Sequence, residues 1–328
     1  MKIFELLQGD CRQVLATLPA GSVQCCITSP PYWGLRDYGT AGQLGLEPTP
    51  EQYVASMVSV FREVWRVLRD DGTLWVNLGD SYSSTGGSNA KQFDIITTGH
   101  KKLRDNGAVP DYTRKVVLGL KPKDLVGIPW RVAFALQADG WYLRQDIIWH
   151  KPNPMPEGVT DRCTKAHEYI FLLTKSARYF YDNEAVKERG VMVAGDSAGS
   201  SQRDTQETHG LGGGNSGINL AKQKLAAELQ KNGYSMRNKR SVWTVAAKPF
   251  KGAHFATFPP DLIEPCILAG SAADTLVLDP FSGAGTTGVV AVQHGRRYIG
   301  IELNPVYLEM SRKRIQLVRD SLTVPMFV

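Results

Sequence analysis

One segment near the C-terminal end of the chain constrains the fold most. Residues 274–288 read DTLVLDPFSGAGTTG, so a short apolar run ends at Asp279 and a glycine-rich turn follows before small residues suited to a helix. Glycines let the backbone adopt positive φ and approach a ligand closely. A ligand bound there would lie at the carboxyl end of a strand, near a helix N-terminus. The segment therefore favours an α/β sheet with a ligand site at one edge.

The remaining chain alternates between strand patterns and helix patterns. Apolar runs typical of buried strands occur at 23–28, 73–78, 143–149, 169–174, 275–278 and 298–301. Apolar residues at helical spacing occur at 50–68, 129–138, 261–269 and 304–318. Residues 69–72 predict a turn after the first of these helices. This alternation predicts an α/β, doubly wound, mostly parallel sheet.

Basic charge is concentrated in two stretches of the 328-residue chain, whose formal net charge is +6. Residues 81–127 hold eight basic and four acidic residues, and residues 185–253 hold eleven and five, so the rest of the chain carries −4. Both stretches are rich in Gly, Ser, Asn and Thr, which is typical of exposed loops. Either stretch alone is explained as a solvated linker, but two beside an apolar core favour a polyanionic partner.

The sequence also argues against several classes of protein. No apolar run approaches the roughly 18 residues of a membrane span. Five cysteines without a C-x-x-C pair argue against a disulfide framework and a cysteine zinc site, and no metal site is expected. The N-terminal residues lack the apolar core of a secretory signal, so a cytoplasmic protein is expected.

A second candidate site follows the apolar run at 23–28, where the chain reads Ser29-Pro30-Pro31-Tyr32-Trp33. The two prolines restrict the backbone and remove N–H donors while their carbonyl acceptors remain. A rigid loop of acceptors beside two aromatic rings could hold a planar heterocycle that bears an amino group. A proline-rich turn with core aromatics would explain the motif if it stood alone, but the glycine turn elsewhere in the chain favours a functional role.

These motifs resemble those of the S-adenosylmethionine-dependent amino-methyltransferases of DNA. Residues 28–32 (TSPPY) resemble the catalytic motif IV, and residues 279–286 (DPFSGAGT) resemble the cofactor loop, motif I. Three weaker matches are motif X at 255–263, motif II at 300–304 and the segment after the third strand at 9–11. The catalytic motif precedes the cofactor loop, as in the permuted β group. The resemblance implies a Rossmann-like methyltransferase fold with permuted motif order and an inserted target-recognition region.

The resemblance implies that a base flipped out of double-stranded DNA is methylated on its exocyclic amine. The Ser29 side chain and the Pro30 carbonyl would accept the amine N–H groups, with Pro31 holding the motif rigid. Tyr32 would stack on the base, and Trp33 would help to line its pocket. Serine at the first position is typical of cytosine-N4 enzymes and aspartate of adenine-N6 enzymes, so N4 of cytosine is expected, with N6 of adenine as the alternative.

The resemblance also implies a set of contacts to S-adenosyl-L-methionine. Those expected around its methionine part are Asp279, Phe281, Gly283 and Gly285, with Thr286 and Thr287 bonded to the carboxylate. Those expected around its adenosine part are Glu302 on the ribose hydroxyls, Asp10 on the adenine amine, and Phe258 and Pro259 packed nearby. A plain turn residue is the alternative for Asp10.

Two other functions stay open at this point. Residues 283–288 match G-x-G-x-x-G, which would suit a nicotinamide-dependent oxidoreductase but would leave the Ser29–Trp33 motif unexplained. The second open function is that of a DNA-binding protein that keeps an inactive methylase fold. Cys266 follows a proline, as in enzymes that attack a ring carbon through a thiolate, but its apolar surroundings favour a buried core residue.

The predicted organisation has three parts. Residues 1–184 form the catalytic half with the basic insert 81–127, residues 185–253 form the target-recognition insert, and residues 254–328 form the cofactor half. DNA contacts are expected at Arg237, Asn238, Lys239 and Arg240, where a solvated charged surface is the alternative. The expected partner is double-stranded DNA, in a prokaryote or phage and associated with the nucleoid, with no membrane contact. A homodimer and a cognate restriction endonuclease are compatible with the family.

Overall fold

The computed structural model describes residues 2–83, 119–193, 223, 225–227, 229–248 and 258–323. The chain divides into two compact units. The first comprises Met1–Asp182 and Ser241–Val328, and the second comprises Asn183–Arg240. Within the described residues, no helix is long and apolar enough to cross a membrane.

Strands and helices alternate along the chain. The strands are β1 (Phe4–Gln8), β2 (Val23–Thr28), β3 (Leu68–Leu78), β4 (Tyr142–His150), β5 (His167–Thr174), β6 (Glu188–Val193), β7 (Tyr234–Arg237), β8 (Val242–Thr244), β9 (Leu276–Asp279) and β10 (Arg297–Glu302). The helices are α1 (Cys11–Thr17), α2 (Pro50–Val67), α3 (Ile128–Ala138), α4 (Pro260–Gly270), α5 (Thr286–Gln293) and α6 (Pro305–Thr323). A short 3₁₀ helix spans Glu184–Val186.

The first unit contains an eight-stranded sheet in the order β1-β10-β9-β2-β3-β5-β4-β8. Neighbours from β1 to β3 are parallel, β5 runs antiparallel to both β3 and β4, and β8 is parallel to β4. The prediction of a mostly parallel α/β sheet is confirmed. In the second unit, β6 and β7 form an antiparallel pair.

The central strand and a capped amphipathic helix show how the sequence builds this core. All six residues of β2 are buried, as its continuous apolar run predicts for a strand covered on both faces. At the start of α2, the Thr49 hydroxyl accepts the Gln52 N–H at 3.2 Å, and Pro50 occupies the first turn. Tyr53, Met57 and other residues at helical spacing are buried along one face of α2.

Two sequence predictions of element boundaries need correction. Residues 69–72 belong to β3 and do not form a separate turn, because Leu68 already pairs with Val23 of β2 and the register shifts before the next pair. The strand β1 is absent from the apolar runs named above, because its sequence FELLQ mixes apolar with polar residues; only Leu6 is buried, in keeping with its place at the edge of the sheet.

The predicted insert 185–253 extends beyond the second unit, which ends at Arg240. Residues 242–244 form β8, which pairs with β4 at the far edge of the large sheet. The Trp149 indole N–H also donates to the Val245 carbonyl at 2.8 Å. The end of the predicted insert is therefore part of the first unit.

Candidate functional site

The carboxyl ends of neighbouring strands bring the two predicted sites together. Ser29 directly follows β2, Asp279 ends β9 and Glu302 ends β10, and these strands are consecutive in the sheet. Parallel strands end at the same edge, so the loops that follow them enclose one pocket. The predicted site residues that line the pocket are Asp10, Ser29, Pro31, Phe258, Asp279, Phe281, Gly283, Thr286 and Glu302.

Asp279 is the most deeply buried acid of this pocket, with 1% of its surface exposed. Its Oδ1 accepts from the Thr28 hydroxyl at 2.6 Å and from the Phe281 N–H at 3.0 Å, and its Oδ2 accepts from the Thr287 hydroxyl at 2.7 Å. Burial raises the pKa of Asp279 to about 6. Thr28, the residue before Ser29, is therefore hydrogen-bonded directly to the acid that opens the glycine turn.

Glu302 is held at the end of β10 by two backbone donors. Its Oε2 accepts the Gly283 N–H and its Oε1 accepts the Asn304 N–H, both at 2.8 Å. Burial raises the pKa of Glu302 above its ordinary value. The carboxylate therefore joins the glycine turn to the end of β10 at the pocket wall, where it can accept hydroxyl donors from a ligand.

The glycine turn combines positive φ angles with close packing. Gly285 has φ of 74°, and a Cβ at this position would lie 2.1 Å from the Ser311 Oγ of α6. The glycine is therefore required by the approach of α6 and does not line the pocket. Gly283, with φ of 51°, does line the pocket, and its N–H contacts Glu302.

The two threonines after the glycine turn have different environments. Thr286 lines the pocket, as expected for a ligand contact. Thr287 is fully buried and is absent from the pocket wall, because its hydroxyl donates to Asp279. In place of the expected contact to a ligand carboxylate, Thr287 orients the buried acid.

Asp10 caps a helix as well as lining the pocket. It is the N-cap of α1, and its Oδ1 accepts from the Arg12 backbone N–H and from Arg12 Nε, both at 2.9 Å. The hydrogen bonds from Arg12 lower the pKa of Asp10. Asp10 is thus an ionised acceptor at the pocket, although part of its hydrogen-bonding capacity is used within α1.

The Ser-Pro-Pro-Tyr-Trp motif contributes unequally to the pocket. Ser29 and Pro31 line it, and the Pro31 carbonyl accepts the Tyr53 hydroxyl at 2.9 Å. Pro30 is buried. Trp33 is 8% exposed within the core, donates its indole N–H to the Glu47 carbonyl at 2.9 Å, and does not line this pocket.

Tyr32 lies beside β3 and bonds through its hydroxyl. A Cβ on Gly79 would lie 2.5 Å from the Tyr32 ring, so one face of the ring is packed against glycine backbone. The hydroxyl lies 2.8 Å from Glu168 Oε2 and 3.0 Å from Asn77 Oδ1. Pro259, expected near the adenosine, is the buried N-cap residue of α4 and does not line the pocket, whereas its neighbour Phe258 does.

Sequence reasoning missed one segment of the pocket wall. The segment after the proline motif contributes Tyr38, Thr40 and Leu44, and Tyr38 meets Tyr307 edge-on with ring centroids 6.4 Å apart. The only local signal for this segment was its glycine-rich composition, which is also typical of ordinary loops.

Arg314 of α6 was also missed, although it contacts the backbone of the glycine turn. Its guanidinium donates to the Ala284 carbonyl and lies 3.3 Å from the Thr286 hydroxyl. Burial lowers the pKa of Arg314. A cation therefore supports the turn from behind, and nothing in the local sequence around position 314 distinguishes it from the other basic residues of α6.

The predicted DNA-binding cluster is partly neutralised within the second unit. One oxygen of Glu188 accepts from Arg237 Nε at 2.9 Å and also from Arg240 Nε. Asn238 accepts the side-chain N–H of Asn183 at 3.2 Å. Most of the two basic stretches, including residues 84–118, 194–222 and 249–257, lies outside the described residues, as do residues 255–257 of motif X.

The described residues contain no group of His, Cys, Asp and Glu side chains that could hold a metal ion. Cys266 is fully buried in α4, and its Sγ lies 4.0 Å from the Leu262 carbonyl. The site therefore consists of the buried Asp279, the half-buried Glu302, a glycine turn, a proline motif and aromatic walls. This is the arrangement in which α/β sheets bind cofactors that contain a nucleoside.

Comparison with known proteins identifies the family. A model described as "DNA methylase", the N6/N4 type, matches residues 23–313, so the chain belongs to this family of DNA amino-methyltransferases. The chain is 48% identical to Type II methyltransferase M.Cfr9I of Citrobacter freundii over 311 residues, which are 95% of this chain and 87% of that protein. It is 43% identical to Type II methyltransferase M.SmaI of Serratia marcescens, over 95% of this chain and 90% of that protein.

Solved structures show the same fold. TTHA0409 of Thermus thermophilus, complexed with S-adenosyl-L-methionine, aligns with a TM-score of 0.55 and 23% identity over 98% of this chain and 96% of that one. The PvuII DNA methyltransferase, described as cytosine-N4-specific, aligns with a TM-score of 0.59 and 18% identity over 97% and 92% of the two chains. The fold is therefore that of the Rossmann-like DNA methyltransferases.

Proposed function

We propose that this chain methylates the exocyclic N4 amine of a cytosine that is flipped out of double-stranded DNA, with S-adenosyl-L-methionine as the methyl donor. The observation that carries the proposal is the contact between its two motifs. The Thr28 hydroxyl lies 2.6 Å from Asp279, and Ser29 lines the same pocket as Asp279 and Gly283. The residue expected to hold the amine and the loop expected to hold the cofactor thus share one cavity.

The pocket residues suit the cofactor chemically. Glu302 presents a half-buried carboxylate to ribose hydroxyls, and Asp10 is an acceptor for the adenine amine. Phe258 supplies an apolar wall for the adenosine, and Phe281 and Asp279 lie where the methionine part is expected, with Asp279 placing negative charge there. When bound, S-adenosyl-L-methionine supplies a methyl group on a sulfonium, which is the electrophile of the reaction.

The proline motif orients the amine. That nitrogen is a weak nucleophile because its lone pair is delocalised into the ring. Acceptors at the Ser29 hydroxyl and the Pro30 carbonyl would hold its two N–H groups and turn the lone pair toward the methyl group. The Pro31 carbonyl is already occupied by Tyr53, which supports Pro30 as the second acceptor. Positioning then supplies most of the acceleration, and the proton leaves the nitrogen after alkylation.

Base flipping requires compensating contacts to the DNA. Unstacking costs a few kcal/mol. The two basic stretches are suited to contact phosphates. Within residues 185–253, Arg237, Asn238, Lys239 and Arg240 are the proposed DNA contacts. The position of residues 28–32 before residues 279–286 supports an assignment to the permuted β group, which is also part of the proposal. A cognate restriction endonuclease, a homodimer and a cytoplasmic location with the host DNA are further parts of the proposal, supported by the bacterial Type II relatives.

A base-resolved methylation assay tests this function. The full chain is incubated with unmethylated duplex DNA and S-adenosyl-L-methionine, and the nucleosides are analysed by mass spectrometry. N4-methylcytosine is expected, and Pro30→Ala and Tyr32→Ala should lose it. Detection of N6-methyladenine would overturn the base assignment. Binding of NAD without binding of S-adenosyl-L-methionine would overturn the cofactor assignment. Sequencing the methylated DNA then gives the recognition site.

A further inference from the structure

A chain of polar groups leads from the catalytic serine into the protein, away from the cofactor. The Ser29 hydroxyl donates to the Tyr32 hydroxyl at 3.4 Å, and the Tyr32 hydroxyl lies 2.8 Å from Glu168 Oε2. Lys151 forms an ion pair with the other oxygen of Glu168. Glu168 is far from Ser29 in sequence, and no part of the proposed function yet uses it.

The structure fixes the direction of the hydrogen bonds along this chain. Tyr32 has one hydroxyl proton, and Glu168 is a charged acceptor at a shorter distance than the Asn77 amide oxygen at 3.0 Å. Burial raises the pKa of Tyr32 well above its usual value, so the phenol stays protonated and donates. A Tyr32 oxygen whose proton points toward Glu168 presents its lone pairs to Ser29.

Neighbouring residues hold Glu168 in place. Glu168 and Lys151 have side chains that are only 17% and 20% exposed, and the Lys151 ammonium lies 4.1 Å from the centre of the Trp149 ring. The Asn77 amide nitrogen donates to the Tyr169 carbonyl at 3.0 Å and to Glu168 at 3.3 Å. The carboxylate therefore has fixed partners on β3 and at the end of β4.

We propose that Glu168 is a positioning residue that acts through Tyr32 to turn the Ser29 proton away from the target amine. A serine hydroxyl can donate or accept, and an N–H group of the base needs an acceptor. A Ser29 proton pointed at the pocket would instead compete for the amine lone pair that attacks the methyl group. With its proton given to Tyr32, Ser29 presents only lone pairs to the base. This inference rests on the proposed function and specifies how its serine works.

An aspartate at position 29 would not need this arrangement, because an ionised carboxylate has no proton to orient. This difference gives a test that a merely structural role for Tyr32 would not satisfy. Tyr32→Phe keeps the ring for stacking on the base and removes only the hydroxyl. Its effect on the methyl-transfer rate should therefore depend on which residue occupies position 29.

The experiment measures single-turnover methyl transfer to unmethylated duplex DNA with saturating S-adenosyl-L-methionine. Tyr32→Phe and Glu168→Ala should each slow the wild-type rate by about 10- to 100-fold, the size expected for one oriented hydrogen bond. The dissociation constant for S-adenosyl-L-methionine should change by less than about threefold, because neither Tyr32 nor Glu168 lines the pocket. Tyr179→Phe, which removes a phenol hydroxyl bonded to Arg144, is the matched control.

Tyr32→Phe and Glu168→Ala are then each combined with Ser29→Asp and with Ser29→Ala. Tyr32→Phe should slow transfer less in either background than in the wild type. An equal loss in all three backgrounds, or wild-type rates in both Tyr32→Phe and Glu168→Ala with folding intact by thermal unfolding, would overturn the inference. Absence of methyl transfer by the wild-type chain would instead overturn the proposed function.

Discussion

Asp279 should lower the stability of the cofactor-free protein at neutral pH. Its carboxylate is fully buried and is held by two hydroxyl groups and one backbone N–H, none of which carries a charge. Burial of a charge without a cation favours the protonated form, and the pKa of Asp279 is raised from 3.8 to about 6. Asp279→Asn removes the charge and keeps the size of the side chain.

The size of this effect on the unfolding free energy follows from the shift in the pKa of Asp279. The folded protein binds the Asp279 proton more tightly than the unfolded chain does, so this group's stabilisation is complete below about pH 4 and is lost as pH rises through about 6. A shift from 3.8 to about 6 corresponds to about 3 kcal/mol of unfolding free energy. At pH 8, Asp279→Asn should therefore unfold about 4 °C higher than the wild type, and at pH 4 the advantage should vanish.

Asp279→Asn should weaken cofactor binding, although it stabilises the cofactor-free protein. The negative charge of Asp279 lies at the wall of the pocket, and its loss should weaken S-adenosyl-L-methionine binding by on the order of tenfold or more. Thermal unfolding without ligand and calorimetric titration with ligand measure the two effects on the same variant. Asp261→Asn is the matched control, because Asp261 is exposed and forms an ion pair with Lys248 at the surface, where such a pair is worth at most about 1 kcal/mol.

The reasoning is refuted if Asp279→Asn lowers the unfolding temperature at pH 8, or if its difference from the wild type is the same at pH 4 and pH 8. Either result would mean that burial of the charge is offset by interactions that the asparagine cannot reproduce. The Thr287 hydroxyl can turn to accept one N–H of the new amide and then donate to the Ile27 carbonyl 3.5 Å away, which leaves the second amide N–H as the cost of the substitution.

Three further predictions concern the turn, the basic cluster and the buried thiol. Gly285→Ala should destabilise the protein by more than Gly295→Ala, because both glycines have positive φ but, of the two, only Gly285 packs against a neighbour, Ser311. The unfolding temperatures of the two variants test this, and equal losses would contradict it. Arg240→Gln should weaken DNA binding and make its salt dependence shallower in a filter-binding titration while cofactor affinity stays unchanged. Cys266→Ser should retain methyl transfer, because the thiol is buried in α4; abolished transfer in a folded variant would restore a nucleophilic role.

Local sequence was sufficient for the elements whose signal lies within a few residues. The apolar run of β2 and the glycine turn after Asp279 were placed correctly because burial on both faces and positive φ leave direct marks in residue type. The order of strand and glycine turn also predicted that the site lies at the carboxyl edge of the sheet. That the two motifs line one pocket was known only from the structure, in which β2 and β9 are neighbouring parallel strands.

The tertiary structure decided which partner each polar side chain has. Thr286 and Thr287 are adjacent in sequence, yet only one reaches the pocket, because the other is turned toward Asp279. Trp33 is a core residue whose indole N–H donates to the Glu47 carbonyl. Glu168 meets Tyr32 only because β5 pairs antiparallel with β3, which brings residues 136 positions apart into hydrogen-bonding distance. Such contacts depend on which strands are neighbours, and residue spacing along the chain carries no signal for that.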